Sequence, residues 1–321
     1  MTATGANPMI DLPGHSHRGP PPPADESLQR LSEELRRCVG HMADKIGERN
    51  LLRRPRQLAQ AADYLEAEFS AVGYEVHRQE YRVAGVPCYN LEAEIAGGPG
   101  PGEIVVVGAH YDSVLGSPGA NDNASGVAAL VALARRFVGR TLGRSLRFVA
   151  FANEEPPYFQ TAEMGSWVYA RRCRQRAEKV AAMLSLETIG CYLDAPGSQR
   201  YPPPFGAFYP STGNFIAFVS NERSGDLLRQ VVGTFRNHEP FPSEGGALPE
   251  WLPGVGFSDH WSFWREGYPA VMVTDTAMFR YPHYHEPTDT PDKIHFEPMA
   301  RVVRGLAEVV ASLVNAPESL G

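Results

Sequence analysis

No apolar run in this chain approaches the ~18 residues that a membrane-crossing helix needs. Nor is there a dense Lys/Arg stripe to offset repulsion from a phosphate backbone, since 30 basic residues stand against 37 acidic ones for a net charge of −7. Neither a membrane nor nucleic acid is therefore expected as a partner. Cysteine is scarce and scattered: Cys38, Cys88, Cys173 and Cys191 contain no C-x-x-C pair. That argues against a disulfide framework or a zinc-finger set and leaves buried or incidental thiols. The opening MTATGANPMIDLPG lacks the basic and apolar regions of a secretory signal, so a cytoplasmic location is expected. Residues 1–25, with four consecutive prolines from Pro20 to Pro23, bury too little surface to offset the entropy of ordering and are expected to form a disordered tail. His15 and His17 are read as solvated residues of that tail.

What remains is ample for one large domain, expected over 26–321, because 43% of the 321 residues are apolar. Leu58, Ala61, Ala62, Leu65, Phe69 and Val72 recur at helical spacing, and Gly73 follows where a left-handed cap would sit. Leu91, Ala93 and Ile95 alternate as in a half-buried strand, whereas 104–107 is a continuous apolar run suited to a strand covered on both faces. Further strands are expected over 146–152, 181–186, 215–219 and 270–274, and helices over 127–137, 163–172, 227–235 and 298–314. Strands alternating with helices predict an α/β fold with a largely parallel sheet and helices on both faces. Two stretches break the rhythm, 196–213 and 237–256. Both are rich in Pro, Gly and aromatics, long for connections, and read as walls or lids of a site.

Ligands of open parallel sheets bind beyond the carboxyl ends of the strands. The side chains there are of one kind. His110 and Asp112 follow the strand at 104–107, Glu154 and Glu155 the strand at 146–152, and Glu187 the strand at 181–186. His285 follows the strand at 270–274 across a short loop, and Asp122 lies in GANDNASG at the start of the helix over 127–137. Each alone is an ordinary loop or capping residue. Together, three carboxylates and two imidazoles on one rim repel unless a cation joins them. Imidazole and carboxylate without thiolate suit Zn²⁺, with Mn²⁺ or Co²⁺ as substitutes. Five donor residues exceed the need of one open zinc site, whereas two zinc ions sharing a bridging carboxylate would each receive three and leave room for a water between them.

The blocks GAHYDSV, GANDNASG, FANEEPPYF, MGS, LSLETIG, FSDHWSFW and HYHEPTDTPDK resemble, in order and spacing, the zinc-dependent aminopeptidases of the bacterial leucyl-aminopeptidase type. That family also includes glutaminyl cyclases and glutamate carboxypeptidase-like proteins. The resemblance runs from about residue 40 to the end. It implies a mixed, mostly parallel sheet and two Zn²⁺ ions per chain. Asp122 is then the bridging carboxylate, with His110 and Glu187 on one zinc and Glu155 and His285 on the other. Glu154 falls where the family places its general base. Asp112 matches the acid that orients the ligating imidazole, and Asp259 and Asp289 look like supporting acids. Two positions depart from the pattern: Glu187 stands where Asp is common, and Gly254-Val255-Gly256-Phe257 lacks a tyrosine that in some members helps polarise the substrate carbonyl, for which Tyr281 or Tyr284 is the candidate substitute.

The expectation is an exopeptidase that hydrolyses N-terminal amino acids from peptides with a free amino terminus, with side-chain preference set by the loops around 201–208 and 251–257. Two alternatives stand beside it. A glutaminyl cyclase would use the same scaffold with one zinc, against which both His110 and His285 argue. A non-catalytic binding module would have lost a ligand, and no candidate ligand is missing.

Overall fold

Every second residue of the central strand faces a different core, and this sets the layering. In the computed structural model, which describes residues 11–98 and 102–315, strand β3 (Glu103–His110) sends Val105, Val107 and Ala109 into one apolar cluster and Ile104 and Val106 into another. A run of branched apolar residues is what a strand buried on both faces requires. The larger cluster receives helices α1 (Glu26–Gly40), α2 (Pro55–Ala71), α3 (Gly126–Phe137), α5 (Gly225–His238) and α7 (Phe296–Asn315). The smaller one receives α4 (Gly165–Gln175) and the short α6 (His260–Arg265).

The sheet is mixed, with eight strands. Besides β3 these are β1 (Val76–Val83), β2 (Val86–Ile95), β4 (Ser145–Phe151), β5 (Lys179–Glu187), β6 (Ile216–Ser220), β7 (Ser243–Ala247) and β8 (Ala270–Thr274). Their order is β1-β2-β4-β3-β5-β8-β6-β7. Pairs β3–β4, β3–β5, β5–β8 and β6–β7 are parallel, whereas β1–β2, β2–β4 and β6–β8 are antiparallel. Helix α2 begins with Pro55 at its first turn, where a missing N–H costs nothing, and Gly73 follows at φ +106°, as the left-handed position after the helix requires. Among the described residues, no helix is long and apolar enough to cross a membrane.

The expected tail is described only from residue 11; residues 1–10 lie outside the described part. From 11 to 25 the chain has no regular helix or strand, yet it is docked. Leu12 packs on the main core, Arg236 donates to the carbonyls of Pro13 and Gly14 at 3.2 and 3.3 Å, and Ser243 N donates to Ser16 Oγ at 2.9 Å. Arg301 reaches the Pro22 carbonyl at 2.6 Å, and Asp25 caps α1 through Leu28 N at 2.7 Å. Composition misleads here because a strap needs no core of its own when it lies along the edge strand β7 and shields it. The 237–256 stretch is also not all loop: β7 lies inside it, as SEGGA, with no alternation of apolar residues to betray it.

Candidate metal centre and active site

Parallel pairing of β4, β3, β5 and β8 brings four strand ends to one edge. His110 is the last residue of β3 and Glu187 the last of β5. Glu154 and Glu155 follow β4 by three and four residues, and His285 arrives from the loop after β8 at φ +60°. Asp122 comes from the turn Ala120–Ser125 that leads into α3, with non-helical φ −108° and ψ 91°.

That turn is heavily tied. Asp289 accepts from Asn121 N at 2.8 Å with one oxygen and from Asp122 N at 3.1 Å with the other. Asn121 donates to Asp275 at 2.8 Å and accepts from Gly190 N at 2.8 Å. Asn123 donates to the Leu186 carbonyl at 2.8 Å and accepts from Gly126 N and Thr188 N, both at 3.1 Å. Gly126 is obligatory: a Cβ there would lie 2.4 Å from both Asn123 Oδ1 and the Leu186 carbonyl. Beneath the turn, the fully buried Arg49 spends its guanidinium on the carbonyls of Tyr111, Gly47, Pro118 and Gly119. It thereby sets a positive charge under the acidic cluster and, among the described residues, pairs with no carboxylate.

The five expected ligand residues fall into two donor sets that share Asp122. Donor atoms of His110, Asp122 and Glu187 lie within 4.8 Å of one another, and so do those of Asp122, Glu155 and His285. His110 Nε2 is 3.2 Å from Asp122 Oδ1 and 3.3 Å from Glu187 Oε2. His285 Nε2 is 3.1 Å from Asp122 Oδ2 and 3.2 Å from Glu155 Oε2. Each oxygen of Asp122 thus faces a different imidazole. Glu154 belongs to neither set; its nearer oxygen is 3.8 Å from His110 Nε2.

Asp112 holds the glutamate pair from behind, one oxygen accepting from Glu154 N and the other from Glu155 N, each at 3.1 Å. Its contact with His110 Nδ1 is longer, 3.5 Å. The expectation assigned Asp112 to the imidazole alone, and the backbone bonds to the pair are the addition the tertiary structure makes. Asp289 serves the Asp122 turn. Asp259 is buried near His110, Glu187 and Ser166, while the neighbouring Ser258 hydroxyl donates to Glu187 Oε2 at 2.7 Å.

The electrostatics show what these atoms lack. Both ring nitrogens of His110, Asp122 Oδ1 and Glu155 Oε1 are buried without a hydrogen bond, which costs free energy unless something else satisfies them. Burial, with neighbouring carboxylates, pushes Glu154 well up, raises Glu187, and lifts Glu155 to about 7. Burial works against the charge on Asp122 as well, yet the bonds from His110 and His285 hold its carboxyl below the usual range. His285, despite partial burial, is raised to about 10 by Asp122 and Glu155. Crowded carboxylates and unpaired imidazole nitrogens with no thiolate are the donor set for a hard-to-borderline cation, and zinc fits it.

The two candidate tyrosines separate. Tyr281 Oη donates to Asp289 Oδ1 at 2.7 Å and is occupied. Tyr284 stacks on His285 with ring centroids 3.9 Å apart and lines an apolar cavity that opens beside Glu187. The cavity walls come from both irregular stretches, including Tyr201, Phe205, Leu252 and Val255.

A family model described as Peptidase family M28 matches residues 90–310. The chain is 38% identical over 268 residues to the uncharacterized protein YfbL of Escherichia coli, covering 81% of this chain and 80% of that protein. It is 30% identical over 227 residues to leucine aminopeptidase 1 of Arthroderma otae, covering 66% of this chain and 55% of that one, so it spans only about half the length of that relative. In fold it is similar to the Legionella pneumophila LapA aminopeptidase, with a TM-score of 0.69 at 18% identity over 94% of this chain and 78% of that one. It is also similar to the Fimbriiglobus ruber glutaminyl cyclase, with a TM-score of 0.63 at 20% identity over 92% and 97%. At such identities the two structures speak for the fold alone.

Proposed function

The chain belongs to peptidase family M28, and on that premise we propose that it is a co-catalytic di-zinc aminopeptidase releasing N-terminal residues from peptides. The observation that carries the reading is Asp122, whose two oxygens lie 3.2 Å and 3.1 Å from two different imidazoles. Each of those imidazoles has a further carboxylate beside it, Glu187 at 3.3 Å and Glu155 at 3.2 Å. A bridging carboxylate between two equivalent donor sets has no use in a site built for one ion. His110, Asp122 and Glu187 would hold one zinc, and Asp122, Glu155 and His285 the other.

Zinc bound there supplies Lewis acidity, polarising the scissile carbonyl and making water acidic enough to attack near neutral pH. The chain's own part is proton transfer and orientation. Glu154, buried beside the ligands but outside both sets, takes the proton from the attacking water and returns it to the departing amine. Its position suits that exchange, 3.8 Å from His110 Nε2 yet outside both donor sets, so its carboxylate is left free to accept a proton. Asp112 fixes the backbone of Glu154 and Glu155 so that the two side chains keep separate tasks.

Peptides with a free amino terminus are expected to be cleaved at least 100-fold faster than their N-acetylated counterparts, because acylation removes the basic group by which an exopeptidase locates a chain end. Equal rates would point to an endopeptidase. A peptide beginning with glutamine should yield free glutamine, and mass spectrometry showing pyroglutamyl peptide instead would favour cyclase chemistry.

Tyr284 is the tyrosine available to polarise the carbonyl, since Tyr281 is bonded to Asp289. Tyr284→Phe is expected to lower kcat roughly 100- to 1,000-fold with zinc content intact, the cost of one oxyanion donor. Tyr281→Phe should instead cost about 1 kcal/mol of stability by freeing Asp289. Full activity in Tyr284→Phe would remove this assignment.

A further inference from the structure

The cavity beside the metal centre has a second carboxylate at its far end. Backbone pairing aligns Glu187 of β5 with Thr274 of β8, Thr274 with Ala217 of β6, and Ala217 with Glu244 of β7. Residues directly opposite one another in neighbouring strands point to the same face. Glu187 and Glu244 therefore stand on one face of the sheet, three strand spacings or about 14 Å apart between Cα atoms, with only Thr274 and Ala217 between them. Large residues in those two places would fill the floor. The roof and walls are apolar: Tyr201 and Tyr209 stack on each other, and Leu252 and Phe257 close the other side. Helices α4 and α6 cover the same face near β5, so over β6 and β7 the space is left to these loops.

Of the two carboxylates lining the cavity, Glu187 is committed to a metal donor set and Glu244 is not. Gln199, also in the lining, is saturated, donating to Thr276 Oγ1 and accepting from Arg280 Nε. Glu244 forms no ion pair among the described residues. The Ser16 hydroxyl lies against it. Arg236 and Arg18 are near, but Arg236 donates to Ser243 Oγ and O and to the carbonyls of Pro13 and Gly14. Burial raises the Glu244 carboxyl even though Arg236 and Arg18 lie near enough to oppose the rise.

We propose that this cavity receives the side chain of the substrate's N-terminal residue and that Glu244 makes the enzyme select long basic side chains, arginine and lysine, over apolar ones of equal length. The inference rests on the exopeptidase reading for its orientation, with the reacting carbonyl at the Glu187 end. A basic side chain suits the whole path, since its methylene stem packs against apolar walls while its charged tip meets the carboxylate. A purely apolar side chain would satisfy the walls and leave Glu244 unpaired.

The experiment compares lysine, arginine and norleucine 4-nitroanilides on zinc-loaded enzyme, norleucine having the lysine stem without the ammonium. The wild-type kcat/KM is expected to be roughly 10- to 100-fold higher for lysine and arginine. Glu244→Gln should bring the lysine-to-norleucine ratio close to one, mainly through KM. A wild-type ratio near or below one overturns the inference while leaving the aminopeptidase standing, and that result needs no variant, so a Glu244→Gln protein that fails to fold does not rescue it. If no anilide is cleaved, the exopeptidase reading fails instead. Thermal-shift binding of argininamide against norleucinamide then decides the cavity alone: stabilisation by argininamide that disappears in Glu244→Gln upholds it, and equal or absent shifts overturn it.

Discussion

Glu154→Ala is expected to lose between 10² and 10⁴ in turnover while retaining its zinc and most of its substrate affinity, whereas Glu155→Ala, one residue later, should lose metal. The two side chains share an environment. Both are buried, both are raised by burial, and both take their backbone bonds from Asp112. They differ in what lies opposite. Glu155 Oε2 is 3.2 Å from His285 and belongs to a donor set with Asp122, while Glu154 stops 3.8 Å from His110 outside both sets. A surface pair would lose little in either variant, within about 0.5 kcal/mol. Zinc stoichiometry and turnover measured on both proteins settle the division, and a fully active Glu154→Ala, or one that loses zinc, would overturn the mechanism.

Chelation is expected to abolish activity reversibly and to lower the melting temperature by roughly 10 °C. Native protein should carry about two zinc ions per chain. An ion present at 1,000 times its dissociation constant stabilises by about 4 kcal/mol, and each kcal/mol moves the midpoint of a domain of 150–250 residues by about 2–4 °C. The destabilisation has a local origin: without cations, Asp122, Glu155 and Glu187 face one another with buried atoms unpaired. Asp122→Asn provides the matching variant. Because Asp122 joins the two sets, its loss should empty both positions, while His285→Ala should spare the set of His110 and Glu187. A metal count near one with full activity, or a melting temperature indifferent to chelator, would remove the two-ion reading.

The sheet was largely legible before any coordinates. The branched run of β3, the alternation within β2 and the helical spacing of α2 are local patterns, and each appears within a few residues of its expected place. Helix α1 was not among the expected elements, although it buries Leu28, Leu35, Cys38 and Val39. The edge on which the donor side chains gather was legible too, because parallel strands end on one side and His110, Glu154, Glu155 and Glu187 lie at or just beyond strand ends, with Asp122 arriving from the turn into α3. Strand β7 was not, since SEGGA carries no apolar alternation and is a strand by virtue of pairing with β6.

Sequence by itself determined the class of fold, the residue types at the carboxyl edge and the charge conflict that calls for a cation, because these follow from periodicity along the chain and from the chemistry of single side chains. Tertiary structure alone decided which groups meet. It set one oxygen of Asp122 toward each imidazole and placed Arg49 under the turn through four carbonyls. It bonded Ser16 to β7, and aligned Glu244 with Glu187 across four strands. Such relations join residues tens to hundreds of positions apart. They depend on strand order, register and burial, which no local pattern encodes, so they exist only once the sheet has closed its core.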